Sequence, residues 1–158
     1  MEAVASRAGV SKVTIYKWWP SRGAVAIDAY FRRYEPTLVY IDSGDLAGDL
    51  AGQLRALIEA FQGRAGRVMA ELVGASQEDP DLARVLRDRW LTPRREATAG
   101  VLQRAVDRGE LVADLDVSAV LDQLYGPVYY RLLLGHESLT SDLADVLLRG
   151  VLDGARPR

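Results

Sequence analysis

Between Ser11 and Trp18 the sequence SKVTIYKW gathers side chains that could do one kind of chemistry. Lys12, Val13, Thr14, Tyr16 and Lys17 fall on the outer side of a short helix whose inward contact is Ile15. Their ammonium and hydroxyl groups can donate to base edges and phosphate oxygens, and the methyl groups of Val13 and Thr14 can touch a thymine methyl. That is the chemistry of a helix laid in the major groove of DNA. No comparable set exists for covalent chemistry. The chain has no cysteine and a single histidine, His136, which excludes disulfide frameworks, cysteine-ligated zinc, iron-sulfur clusters and thiol nucleophiles. A two-histidine zinc helix lacks its second ligand, and any Ser-His-Asp triad would have to be built around His136. Glu71, Glu78 and Asp79 read as solvated or capping carboxylates. The expectation is a protein that is not an enzyme and carries neither metal nor cofactor.

The elements that must hold that helix can be read on either side of it. Met1 to Arg7 is a short helical fragment, Ala8-Gly9-Val10 a turn, and Ser11 a cap for the second helix, which together make a helix-turn-helix. Gly9 suits a left-handed backbone, Ala5 and Ala8 allow close helix approach, and Val10 with Ile15 is the expected internal contact. Trp19 reads as core; Trp18 is equally readable as core or as a group on the phosphate side. Residues 1–34 carry six basic side chains against two acidic ones, whereas the whole chain has a net charge of −2. A basic head on an acidic body suggests that the head alone meets a polyanion. Taken by themselves, these residues also describe an αα-hairpin with a solvated face, and Arg32 and Arg33 fit such a face.

Beyond the head the pattern stays helical, with no convincing strand. Asp45 opens a helix to about Gln62, with Leu46, Leu50, Leu54, Leu57, Ile58 and Phe61 as its apolar stripe. Residues 64–77 form another. Asp79-Pro80-Asp81 starts a long element to about Arg108, and Pro93 is expected to bend it near Trp90. Asp116 caps a helix to about Leu134, Ser138 to Thr140 starts the last one, and Tyr40 to Gly44 is the expected hinge. In the helix after Asp116, Val120, Leu121, Leu124, Val128 and Leu132 form one apolar face, and Tyr125, Tyr129 and Leu133 a second. The final helix does the same with Leu139, Leu143, Val146, Leu147 and Val151, widened by Leu148 and Leu152. Helices apolar on two faces are covered on two sides. His136 is expected in a solvated loop.

The chain has 158 residues, 49% hydrophobic and 27% charged, enough to bury a core without staples. No stretch of about 18 residues is apolar enough to span a bilayer, and no signal pattern opens the chain. A cytoplasmic protein with no membrane partner is expected.

The segment Ala5-Ser6-Arg7-Ala8-Gly9-Val10-Ser11-Lys12-Val13-Thr14-Ile15-Tyr16-Lys17-Trp18-Trp19-Pro20-Ser21-Arg22 resembles the helix-turn-helix signature of the TetR family of bacterial transcriptional regulators. Trp19 stands for the family's usual aromatic, and Arg22 replaces its usual lysine. Asp79-Pro80-Asp81-Leu82, Arg108-Gly109-Glu110-Leu111 and Gly126-Pro127-Val128-Tyr129-Tyr130-Arg131 are more weakly similar to the C-terminal domain of one branch. Family members begin with a helix that packs across the helix-turn-helix, whereas this sequence starts inside what corresponds to the second helix. The expected fold is all-α: an incomplete helix-turn-helix head over residues 1–36, its first helix absent, on an α-helical ligand-binding and dimerisation domain over residues 45–158.

Carried over by position, the resemblance implies that Ser11, Lys12, Val13 and Thr14 lie nearest the base edges, and that Tyr16, Lys17, Trp18 and Arg22 face the phosphates. It implies a homodimer through the last two helices, with Val120, Leu124, Val128, Leu143, Val146, Leu147 and Val151 at the seam. It also implies an effector pocket, for which Met69, Leu72, Trp90, Tyr125 and Tyr129 are candidate lining groups and Gln123 and Arg131 candidate polar anchors. The implied partners are double-stranded DNA bearing a near-palindromic operator and a small apolar effector. The implied function is a repressor that the effector releases; the rival is a dimeric ligand-binding protein that has lost specific DNA binding.

Overall fold

Two serine caps and one left-handed glycine set the head. In the computed structural model, which describes residues 1–34, 41 and 43–157, helix α1 (Glu2–Ala8) ends at Gly9 in the left-handed region with φ 65°. That conformation costs a glycine nothing and turns the chain sharply into Ser11. The Ser11 hydroxyl accepts the Thr14 N–H at 3.0 Å and starts α2 (Lys12–Trp18). Trp19 and Pro20 stop that helix, and the Ser21 hydroxyl accepts the Ala24 N–H to start α3 (Arg22–Tyr34).

The body follows the caps expected from sequence. Asp45 caps α4 (Leu46–Ala60), Asp79 caps α6 (Pro80–Leu86) and Asp116 caps α8 (Val117–Leu134), each through its carboxylate. The remaining elements are α5 (Gly63–Ser76), α7 (Thr92–Asp107) and α9 (Asp142–Ala155). All of the expected α4 stripe is buried, from Leu46 to Phe61, and it packs against α7, α8 and α9. Of the hinge expected over Tyr40–Gly44, Tyr40 and Asp42 lie outside the described residues. No helix among the described residues is long and apolar enough to cross a membrane.

Two boundaries differ from expectation, each for a physical reason. The bend expected at Pro93 is instead a π-helical turn over Arg87–Leu91 that runs straight into α7, with the Thr92 N–H bonded five residues back to the Arg87 carbonyl. The wider turn shifts the bonding register just before a proline that has no N–H to give, so the helix is re-registered rather than broken. The last helix starts at Asp142 and not over Ser138–Thr140. The Ser138 and Leu139 carbonyls are already taken, by Arg131 at 3.0 Å and by Gln62 at 3.2 Å, which ties that segment across the ends of other helices. Pro127 lies inside an α8 that continues through it.

Helix α3 is the graft between head and body. Its Ile27, Tyr30 and Phe31 are buried in the same core cluster as α4 to α9. A Cβ added to Gly23 would lie 2.8 Å from Leu82 Cβ on α6, so the two helices meet at a contact only glycine permits.

Candidate nucleic-acid interface and effector cavity

Helix α2 is held by little and exposes much. Ile15 is its one buried residue, 6% exposed, while Val13 at 79% and Trp18 at 73% stand out into solvent with Lys12, Thr14, Tyr16 and Lys17. Arg22, at the start of α3, is exposed as well. The eight residues expected to meet DNA are therefore all exposed, on α2, its cap and the start of α3. Trp18 is not a core plug; Trp19 is the half-buried member of the pair. Val10 corrects its expected place beside Ile15: it is exposed, because the turn at Gly9 leaves Ile15 to make the inward contact alone. Lys12 bends back to Glu2 on α1 with its Nζ 2.6 Å from the carboxylate. An exposed pair of this kind contributes at most about 1 kcal/mol and can readily exchange its carboxylate for a phosphate.

The head is clamped to the π-helical turn. Asp28 on α3 accepts from Arg89 at 3.2 Å and pairs with Arg32 at 3.0 Å. Burial pushes the Asp28 pKa up, but the Arg89 hydrogen bond, the Arg32 charge and the Trp19 side-chain hydrogen bond outweigh it and hold the carboxyl below its ordinary value. A depressed carboxylate pKa stabilises the fold above the unfolded pKa, near pH ~4, and that contribution is lost as the pH falls through the lower folded value. Asp28→Asn is thus expected to cost roughly 0.5 to 1 kcal/mol at pH 7, the small figure reflecting a half-exposed Arg89. It should also flatten the fall in stability below pH ~4. Thermal melts from pH 2 to 7 check this; an unchanged acid limb would show that Asp28 does not carry it.

One residue along from Arg89, Trp90 is the junction of the molecule. Its ring stacks on Phe31 of α3 at 5.7 Å and on Phe61 at 6.0 Å, meets Tyr30 edge-on, and lies 3.6 Å under the Arg94 guanidinium. Its Nε1–H donates to the Tyr129 hydroxyl on α8 at 2.6 Å. Trp90 lines one hollow, and a second adjoins through Leu91 and Tyr129. The larger, about 370 Å³, is an open groove walled by Met69, Val73, Ala83, Leu86, Trp90, Leu133 and neighbours. The smaller, about 40 Å³, is a more enclosed chamber lined by Gln53, Leu57, Leu91, Arg94, Arg95, Tyr125 and Tyr129. Leu91 and Tyr129 line both.

The polar groups of the chamber come from three helices. Gln53 of α4 is 6% exposed; its Oε1 accepts from Thr98 at 3.3 Å and from the Tyr125 hydroxyl at 3.2 Å, while its Nε2 meets no partner. Burial raises the pKa of both tyrosines. For Tyr125 a hydrogen bond with Thr98 offsets this in part, and for Tyr129 the bond from Trp90 and the Arg94 charge do so. Both phenols therefore stay protonated.

Of the residues expected to line a pocket, Met69, Trp90, Tyr125 and Tyr129 do. Leu72, Gln123 and Arg131 do not. Leu72 is packed in the core, Gln123 faces solvent on the outer side of α8, and Arg131 is spent on the loop after α8, bonding the Ser138 carbonyl and Glu137. Gln53, Leu91 and Arg94 were missed. Gln53 carried a signal: it is a polar residue inside the leucine stripe of α4, where a buried amide needs a purpose. Arg94 carried none, since it faces the chamber only through the packing of α7 beside α4.

Of the residues expected at a dimer seam, Val146 is exposed in the single chain, at 55%, and the others are buried or half-buried there. Val120, Leu124, Val128, Leu143 and Val151 are buried within the single chain, packed between α8, α9 and the body, and Leu147 is half-buried. What α8 and α9 leave outside is Tyr130 at 58% exposure, Leu134 at 62% and Val146 at 55%, together with Leu133 and the open positions Gly126 and Gly150. His136 is exposed, its ring 4.6 Å from that of Tyr130.

Comparison with known proteins places these features. Residues 40–151 match the family model described as tetracyclin repressor-like, C-terminal domain. The HTH-type transcriptional regulator YdeS of Bacillus subtilis (strain 168) is 37% identical over 149 residues, which span 94% of this chain and 75% of that protein. The DNA-binding transcriptional repressor TetR of Mycobacteroides abscessus is 29% identical over 163 residues, spanning 99% and 85%. The crystal structure of the TetR family transcription regulator SCO0332 superposes with a TM-score of 0.83 at 43% identity, covering 99% of this chain and 86% of that one.

Proposed function

Because the chain belongs to the TetR family of transcriptional regulators, we propose that it acts as a dimeric repressor whose grip on a near-palindromic operator is loosened by a small molecule held beside Trp90. It is a DNA-binding regulator, and we assign it no catalytic role and a place in the cytoplasm with its DNA. Residues 1–36 form the reading head and 45–158 the body. Ser11, Lys12, Val13 and Thr14 meet base edges, and Tyr16, Lys17, Trp18 and Arg22 the backbone. Two copies join through the outer faces of α8 and α9, around Tyr130, Leu134 and Val146.

The observation that carries the reading is the path from cavity to head. Trp90 and Leu91 line the groove, Leu91 lines the chamber as well, and both belong to the turn whose Trp90 stacks on Phe31 and whose Arg89 clamps Asp28 of α3. A ligand that displaces this turn must move α3, and α3 carries α2. Half-sites one turn apart require recognition helices about 34 to 36 Å apart, so a dimer that holds them at another spacing docks only one. A coupling of about 1 to 3 kcal/mol gives a 5- to 150-fold loss of affinity.

The test begins with the full-length protein and a random pool of duplexes, from which selection should return near-palindromic sites. On such a site Arg22→Ala should weaken binding to all sequences alike and reduce the slope of log affinity against log salt by about one, whereas Lys12→Ala should change base preference. A salt slope identical to that of the parent protein would remove Arg22 from the phosphate contacts. A selection that enriches no sequence would leave a ligand-binding dimer without specific DNA recognition.

A further inference from the structure

Within the effector site proposed above, the chamber beside Tyr129 has a surplus of one kind of polar group. Its acceptors are engaged: Gln53 Oε1 takes the Tyr125 O–H, and the Tyr129 oxygen takes the Trp90 N–H. Its donors are not. Gln53 Nε2 is buried without a partner, and the Tyr129 hydroxyl, having accepted, still has its own hydrogen to give. Arg94 adds a positive charge at the wall, and no lining residue is acidic. A buried amide N–H left unmade is costly, so the site is built for something that accepts.

Size narrows the class. One water needs roughly 10 to 15 Å³ of such space, so a chamber of about 40 Å³ takes roughly three heavy atoms, the size of a carboxylate. The groove that shares Leu91 and Tyr129 with it offers about 370 Å³ walled mostly by apolar side chains. We propose that the effector is an amphipathic organic acid, its carboxylate seated among Gln53 Nε2, the Tyr129 hydroxyl and Arg94, and its apolar body lying in the groove of Met69, Val73 and Leu86. The carboxylate then satisfies the Gln53 Nε2 and Tyr129 hydroxyl donors and lies beside the Arg94 charge, and the body of the ligand reaches the π-helical turn by way of Leu91.

Three probes of one shape separate this from a merely apolar site: 2-naphthoate, 2-naphthalenemethanol and 2-naphthylmethylammonium, titrated by calorimetry into the full-length protein at pH 7. The acid should bind at least about tenfold more tightly than the alcohol, and the ammonium most weakly, as expected for a charge-assisted bond to fixed donors. Gln53→Met should shrink the preference for acid over alcohol by about tenfold while leaving the alcohol nearly unchanged. Arg94→Gln should act in the same direction, and it keeps the test usable if the core substitution does not fold. Equal affinity for the three probes, a preference for the ammonium, or a preference that survives both substitutions would overturn the assignment of an acid. Equal, tight binding of all three would still leave the cavity as an effector site, whereas binding of none would remove both.

Discussion

Trp90→Ala is expected to destabilise the protein by about 3 to 5 kcal/mol, the range for deleting a large buried aromatic, and to disconnect the cavity from the DNA-reading head. Trp90 is 3% exposed and packs against rings from three other parts of the chain: Tyr30 and Phe31 on α3, Phe61 after α4, and Tyr129 on α8. Its removal opens a void where all of these meet and leaves the Arg94 guanidinium without the ring beneath it. Trp90→Phe keeps most of the area and gives up the Nε1–H bond to Tyr129, so it should cost only about 0.5 to 1.5 kcal/mol. Urea unfolding monitored by circular dichroism checks both. A loss below about 1 kcal/mol for the alanine variant would mean that the aromatic cluster does not anchor α3 to the body. In operator titrations with a bound effector, Trp90→Phe should retain release if stacking on Phe31 transmits it, and lose release if the bond to Tyr129 does.

Replacing Leu134 and Val146 together by glutamate should convert the proposed dimer to a monomer and lower operator affinity by roughly 100-fold or more, because each head then binds without the effective concentration its partner supplies. Both side chains are more than half exposed in the single chain, so the substitution leaves the body's own core intact. In a dry seam of the size obligate dimers need, about 2,000 Å² or more, four added carboxylates per dimer would be buried without partners. Sedimentation equilibrium at micromolar concentration distinguishes the cases; a variant that remains dimeric would move the seam off the outer faces of α8 and α9. Leu143→Glu, by contrast, strikes a residue buried within one chain and should unfold the protein rather than dissociate it.

What the sequence by itself determined lies close to the chain. Ser11, Asp45, Asp79 and Asp116 could be read as caps and are caps, because a side chain accepting an N–H three residues on is a local interaction that needs no tertiary partner. The turn at Gly9, the leucine stripe of α4 and the exposed set on α2 were legible for the same reason: periodicity and backbone conformation are properties of a few neighbouring residues. The tertiary structure decided everything that depends on which face meets what. Helix α8 has two apolar faces, and nothing in its spacing tells that Val120, Leu124 and Val128 belong to the chain's own core while Tyr130 and Leu134 are left outside, since burial by the same chain and burial by a partner demand the same residue types. Pro93 announced a disturbance but not its form, because a kink and a π turn both accommodate a missing N–H, and the turn found places Trp90 against α3. Gln53 and Arg94 are 41 positions apart in sequence and face one chamber only because α4 and α7 lie side by side.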